Sequence, residues 1–456
     1  MKKTFLLLSC FIASILLYST ETIIQGNISA FNGKTLKVSL ISDYLTFTSE
    51  EVAKTLISKG KFKITLQLDD TQQVFLKIED KQTSFFAKPG EVYNLNLSYD
   101  AQANQGRAFD KYLDLKFSYP RTDEINQLIK SFNTAYQNFF SKNYQRLAIN
   151  VAQKEINSFV AEWEQKEAYK KDPFTTNYVR YALANLEDIN NSASKDKLYD
   201  KYLKNQPILY QHKEYMNFFT QYYRLSFEQF ALTKNGAVVL KALMLEEDLE
   251  KTIVLLQKFK NLENPALAEL YLIYGLFEVY HKKTIQQEVS LSILNKISKK
   301  GKNTFNQRIA KNAEESLNQF NNSNIAPPFT LSNEKGEKIA LSNFYGKPIY
   351  LSFWADWSIP SLRELKVMKT LAEKYGEKIH FVSINLDDNI EKMKKVKSNN
   401  NYNWTFLHFG EDYEVREKYN IKTVPSYFLI DEKGKFVQAH AEGPTKIERM
   451  LYNLAK

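Results

Sequence analysis

The apolar residues of this chain change period twice, and those changes limit what it can fold into more than any single motif does. From Thr22 to about Asp100 the period is two. Phe62, Ile64, Leu66 and Leu68 alternate with polar residues in GKFKITLQL, and Tyr93, Leu95, Leu97 and Tyr99 do so in VYNLNLSY. Such alternation buries one face of a sheet and leaves the other in water, which predicts antiparallel β structure. Asn32-Gly33, Lys59-Gly60 and Pro89-Gly90 punctuate the strands at intervals suited to a small sandwich. Nothing here converges on chemistry, so packing or docking is the expected role.

The period then lengthens. Ile156, Phe159, Val160 and Trp163 recur at helical spacing, as do Leu267, Leu270, Tyr271 and Tyr274. Asp172-Pro173 and Asn264-Pro265 each place a capping side chain before a proline at the first helical position. The Tyr and Phe residues at these spacings are expected in the core rather than in a sugar or peptide groove, because large rings carry most of the buried area between packed helices. Successive helix pairs resemble a loose α-helical array without a strict repeat.

Asn321-Asn322-Ser323-Asn324 breaks the helical pattern, and with Ala326-Pro327-Pro328 it reads as a linker. Beyond it, PIYLSF (348–353), KIHFVSIN (378–385), SYFLID (426–431) and KFVQAH (435–440) read as strands, with helices at 359–375, where Leu362, Leu365, Met368, Leu371 and Ala372 share one face, and at 444–455. The first three strands alternate with helices in a βαβ manner, and Glu432-Lys433-Gly434 joins the last two as a hairpin. The expected division is a leader at 1–20, a small antiparallel β domain at 22–103, a helical region at 104–322 and an α/β domain at 323–456. The fold class is multi-domain α+β, with a sandwich-like antiparallel domain, an all-α middle and a C-terminal α/β domain.

Lys2 and Lys3 precede an apolar run from Phe5 to Tyr18, shorter than the roughly 20 residues of a spanning helix and suited to a secretory leader. The expected location is the periplasm or cell envelope, with no membrane span once the leader is cleaved. Leu7-Leu8-Ser9-Cys10 is similar to a lipoprotein box, but the apolar stretch ahead of Cys10 is short and continues past it, leaving lipid or leader anchoring as the alternative. Cys10 is the only cysteine. Without it the chain has no disulfide, no thiolate nucleophile and no thiolate metal ligand. The net charge of +10 is dispersed, which argues for a solvated basic surface over a nucleic-acid site. Five scattered histidines show no metal spacing and the glycines form no phosphate loop, so no metal or cofactor is expected.

The most specific signal is FWADWSIPS (353–361), directly after the apolar strand. Together with Pro328-Phe329, Gly346-Lys347, Thr423-Val424-Pro425-Ser426 and Asp431-Glu432-Lys433-Gly434, it resembles the TlpA/ResA type of thioredoxin-like proteins, within the AhpC/TSA-redoxin superfamily. The first two regions resemble exported Bacteroidetes members more loosely. The resemblance implies a thioredoxin-like fold for residues 323–456 and a cis-proline at Pro425 facing the active site. It also implies disulfide exchange by two cysteines where this chain carries Ser358 and Ser361. Serine forms no S–S bond, and its hydroxyl is not a nucleophile without a base. None of His380, His408 or His440 stands at a family catalytic position, and a hydrolytic role for Ser358 is set aside. Ser358 is instead expected to cap the helix. Glu364 matches an acidic position of the family's first helix, and Ser352 stands where other thioredoxins carry a buried carboxylate. Asp387-Asp388 is expected to cap the next helix rather than bind a cation.

The resemblance further implies that Trp357, Ile359, Pro360, Val424 and Pro425 can line a groove for an extended peptide, paired through the main chain before the cis-proline. Trp354 is expected to pack the core, and Trp357 either to pack or to line the groove. The leading expectation is therefore a redox-inactive exported protein that binds an extended segment of a partner or serves as a scaffold, of undefined oligomeric state. A TlpA-like thiol-disulfide oxidoreductase is the enzyme alternative. A third reading places the function in the aromatic helices.

Overall fold

In this computed structural model the described residues are 21–456, apart from 105–110, 119–123, 190–192, 261, 281, 283, 320, 322–323 and 411. The expected leader, with Cys10, lies outside them. The chain forms two compact units: one of the chain up to Tyr202 with Leu209–Gln221, the other of Leu203–Ile208 with Tyr222–Lys456. No helix among the described residues is long and apolar enough to cross a membrane.

Among the described residues of the first unit, the strands are β1 (Glu21–Asn27), β2 (Thr35–Ile41), β3 (Ser49–Leu56), β4 (Lys61–Gln67), β5 (Gln72–Ile78), β6 (Lys81–Ala87), β7 (Val92–Ser98), β8 (Lys111–Tyr112) and β9 (Asp114–Phe117). They form two sheets, ordered β4-β1-β7-β9 and β3-β2-β5-β6-β8. The alternation read from the sequence is present: in β4 Phe62, Ile64 and Leu66 are buried between exposed neighbours. Both sheets feed one core that includes Ile24, Leu36, Val38, Val74, Leu76 and Leu95. The expectation of a purely antiparallel domain is corrected at two pairs, since β1 runs parallel to β7 and β6 to β8. Apolar alternation reports which face is buried, not the direction of the neighbour. β8 and β9 carry the sheets on to Phe117, past the expected 103. Lys59 and Gly60 both adopt positive φ (51° and 70°), as the turn signal there required.

Helices Ile125–Ala148, Gln153–Glu164 and Pro173–Ile189 pack on one another around Phe132, Ile156, Val160, Trp163, Tyr178 and Leu183. Asp172 Oδ1 accepts from the Thr175 N–H at 3.0 Å, capping the last of these. The expected helical region continues into the second unit, where Asn264 caps Pro265–Val279 through the Ala266 and Leu267 N–H groups.

The C-terminal sheet of the second unit is built from β10 (Thr330–Asn333), β11 (Lys338–Ala340), β12 (Ile349–Trp354), β13 (His380–Asn385), β14 (Thr405–His408), β15 (Ser426–Ile430) and β16 (Phe436–Gln438), ordered β11-β10-β14-β13-β12-β15-β16. β12, β13 and β14 are parallel, while β15 runs antiparallel to β12. The sequence reading is corrected here: the third parallel strand is β14, too short to show a period, and SYFLID enters with reversed direction. β10 and β11 were likewise too short and polar to register.

The expected linker is docked rather than free in its described part. The Ala326 N–H donates to the Gly434 carbonyl at 2.9 Å and the Phe436 N–H to the Asn324 carbonyl at 2.8 Å. Tyr419 Oη donates to the Pro327 carbonyl at 2.8 Å. The helix Ile359–Tyr375 buries Leu365, Met368, Leu371 and Ala372 on the face read from the sequence. Each large side chain there contributes about 2 kcal/mol of apolar burial.

Candidate functional site

Every residue of β12 from Ile349 to Trp354 is buried, so the chain leaves the end of this interior strand under tight constraint and then turns into the helix Ile359–Tyr375. The turn is held from beneath. The carboxylate of Asp387, just past the end of β13, accepts from the Asp356 N–H and from Asn385 Nδ2, both at 2.7 Å. Asp387 and Asp388 do not cap the following helix as expected. Asn389, one residue closer, accepts from the Glu391 N–H and fills that role. The bracing use of Asp387 had no local signal, because it depends on two parallel strands ending side by side.

Ser358 is the N-cap, as expected: its Oγ accepts from the Ser361 N–H at 3.3 Å. The same hydroxyl donates to the Val424 carbonyl at 3.2 Å. That bond joins the turn to the loop carrying the cis Val424-Pro425 peptide. Ser358 and Val424, 66 residues apart in sequence, are thus brought together, with Pro425 next to Val424. No hydrogen bond among the described residues joins Ser358 to a histidine. His408 is occupied elsewhere: its Nδ1 accepts from the Gly410 N–H at 3.1 Å, so Nε2–H donates to the Asp387 carbonyl at 2.7 Å. Burial holds this imidazole below the usual histidine range.

Ser361 differs from Ser358. It is 1% exposed, and its Oγ meets no hydrogen-bond partner among the described residues. A buried hydroxyl left so costs about 1–3 kcal/mol, whereas a thiol in the same place asks for little. The surroundings of Ser361 suit sulfur better than oxygen.

Around these serines lies an apolar surface. Trp357 is 47% exposed and Ile359 63%, Pro360 is exposed, and Val424 and Pro425 are half-buried. No partner for the Val424 N–H is present among the described residues. Trp354, three residues before Trp357, is 1% exposed and meets Phe406 edge to face, as expected of a core residue.

Behind the turn, Ser352 is bonded to Ser383 Oγ at 2.8 Å, and Ser383 Oγ accepts from Trp404 Nε1 at 2.9 Å. A neutral hydroxyl pair therefore fills this part of the interior. Tyr427 Oη donates to Glu364, and its ring stacks on Tyr350 at 5.5 Å. Burial, with the Glu364 carboxylate beside it, raises the Tyr427 phenol well above its ordinary range. Sequence reading found Glu364 but not its partner, which arrives from the antiparallel β15.

A strand, a turn, a helix capped at its first residue and a cis-proline opposite is the arrangement the sequence motifs implied. The sequence profile of the AhpC/TSA family matches residues 323–439. The thioredoxin-like protein YneN of Bacillus subtilis is 32% identical over 124 residues, which span 27% of this chain and 73% of that protein. The chain belongs to the TlpA/ResA-type thioredoxin-like proteins. The thiol-disulfide oxidoreductase ResA of Bacillus thuringiensis is 31% identical over 115 residues, 25% of this chain and 65% of that protein, so just under two thirds of its length is spanned. Among solved structures, a thiol-disulfide oxidoreductase from Bacteroides fragilis is 27% identical and covers 29% of this chain and 100% of its own, with a TM-score of 0.27. All three matches cover only a minor part of this TlpA/ResA-type chain.

Proposed function

We propose that this protein is exported to the periplasm or cell envelope and uses its thioredoxin-like domain, without redox turnover, to bind an extended segment of a partner protein. The observation that carries the reading is the surface around the cis-proline. Trp357, Ile359 and Pro360 expose a continuous apolar edge beside Val424, whose N–H is open to pair with a peptide carbonyl. Export is supported by Lys2, Lys3 and the apolar run Phe5–Tyr18. The relatives named as thiol-disulfide oxidoreductases favour the enzymatic alternative. Against it stand Ser358 and Ser361, which form no mixed disulfide, and the restriction of cysteine to Cys10.

The test is in-cell photocrosslinking from a photoreactive residue at Ile359, with one at Lys166 as control. The expected result is a discrete adduct from Ile359 alone, lost when Trp357 is changed to Asp. Adducts from Lys166 only, or from neither position, would sink the binding reading and move the search for function to the helices.

A further inference from the structure

Strand β6 has one edge filled and the other partly open. β5 pairs along its whole length, from Ala87 opposite Gln72 to Lys81 opposite Ile78. On the other edge β8 pairs only with Lys81 and Gln82, and the Leu113 N–H donates to the Gln82 carbonyl at 2.9 Å. Farther along, the Asn126 side chain stands in for a strand. Its Oδ1 accepts from the Phe86 N–H at 2.7 Å and its Nδ2 donates to the Phe86 carbonyl at 2.8 Å. In an antiparallel pair, main-chain groups point to the same edge at every second residue. Ser84, midway between Gln82 and Phe86, therefore turns its N–H and C=O to this open edge, where neither meets a partner among the described residues. Its side chain is engaged on its own face, accepting from Gln73 Nε2 at 2.9 Å.

The gap opens into a cleft of about 820 Å³ between β6, β9 and the helix Ile125–Ala148. That volume falls within the roughly 300–1,000 Å³ of ordinary ligand sites. Lys116, Lys130 and Lys213 are among the residues that line it, and Asp114 is the one acidic residue in that lining. Lys116 and Lys130 form no ion pair among the described residues. The cleft therefore combines a cationic wall with one vacant residue of sheet pairing.

We propose that this cleft binds a short extended peptide with acidic side chains, which pairs with the Ser84 main chain and sets its carboxylates against Lys116, Lys130 and Lys213. A peptide fits better than an acidic oligosaccharide because the vacancy is an N–H and C=O pair. It lies between two positions already met by a main-chain N–H and by a side-chain amide that imitates one. This site lies in the first unit and is independent of the groove at Val424.

The probes are fluorescein-labelled (Asp-Val)4 and (Lys-Val)4, titrated by anisotropy against the purified protein. Saturable binding of (Asp-Val)4 alone is expected, weakening as salt is raised. Lys116→Glu/Lys130→Glu should weaken it at least tenfold. Ser84→Pro should do the same by removing the outward N–H while sparing the β5 ladder, and Ile359→Asp should leave it unchanged. Circular dichroism checks folding, and if Ser84→Pro is unfolded the lysine variant decides. The proposal is overturned by no saturable binding, by equal binding in the lysine variant, by loss of binding in Ile359→Asp, or by binding of tri-galacturonate in place of the peptide.

Discussion

In the first unit, Phe132, Trp163 and Tyr178 close on one another, with Phe132 4.8 Å from Trp163 and 6.1 Å from Tyr178, edge to face in both cases. In the turn between β12 and the helix Ile359–Tyr375, Trp357 stands half in water with Ile359 beside it. The same kind of side chain does different work in the two places. These three rings are accounted for by their burial against one another. The apolar edge of the turn is left unexplained by the interior of its own domain, whose core closes over Trp354 and Met368 instead.

The comparison is tested most severely at Phe132, which is fully buried. Phe132→Ala is expected to destabilise the first unit by about 3–5 kcal/mol in urea unfolding while leaving any crosslink at Ile359 in place. Loss of the crosslink in a folded Phe132→Ala protein would mean that the two regions are not separable in function.

A pH test follows in size. His212, in the first unit, is buried beside the Phe174 ring, and burial lowers its pKa from 6.5 to about 4. The folded state thus disfavours the proton that the unfolded chain accepts. The stabilising difference is complete above pH 6.5 and is lost as pH falls towards 4, amounting to about 3 kcal/mol. Urea midpoints of the native protein and His212→Gln, measured from pH 7 to 4, should converge as the pH falls. Parallel curves would contradict the assignment.

The smallest effect lies at the turn itself. Ser358→Ala removes the bonds to the Ser361 N–H and the Val424 carbonyl and should cost about 1 kcal/mol, as other N-caps do. A loss as large as that at Phe132 would show that the turn is a structural keystone rather than a surface fixed on a stable base.

Much of this was legible in the sequence because it rests on local periodicity or on a dense motif. The alternation of Phe62, Ile64 and Leu66, the helical face of Leu365, Met368 and Leu371, and the capping by Ser358 and Asn264 are all within a few residues of their cause. What was missed depends on strands meeting across the sheet. The direction of β15, the short strand β14, the brace from Asp387 to Asp356 and the Tyr427–Glu364 bond each join residues that lie far apart in the chain or follow a pairing the local pattern does not encode. The open edge at Ser84 belongs to the same class, since it exists only because β8 stops pairing after Gln82.

The central proposal is that the turn keeps the strand, turn and capped helix of its family without redox turnover. The most direct measurement is insulin disulfide reduction by the native protein beside Ser358→Cys/Ser361→Cys, with the variant's thiols counted before and after oxidation. The expected result is no turnover by the native protein, and a variant that closes an intramolecular disulfide and reduces insulin. Turnover by the native protein, or a folded variant whose two thiols never pair, would contradict the claim.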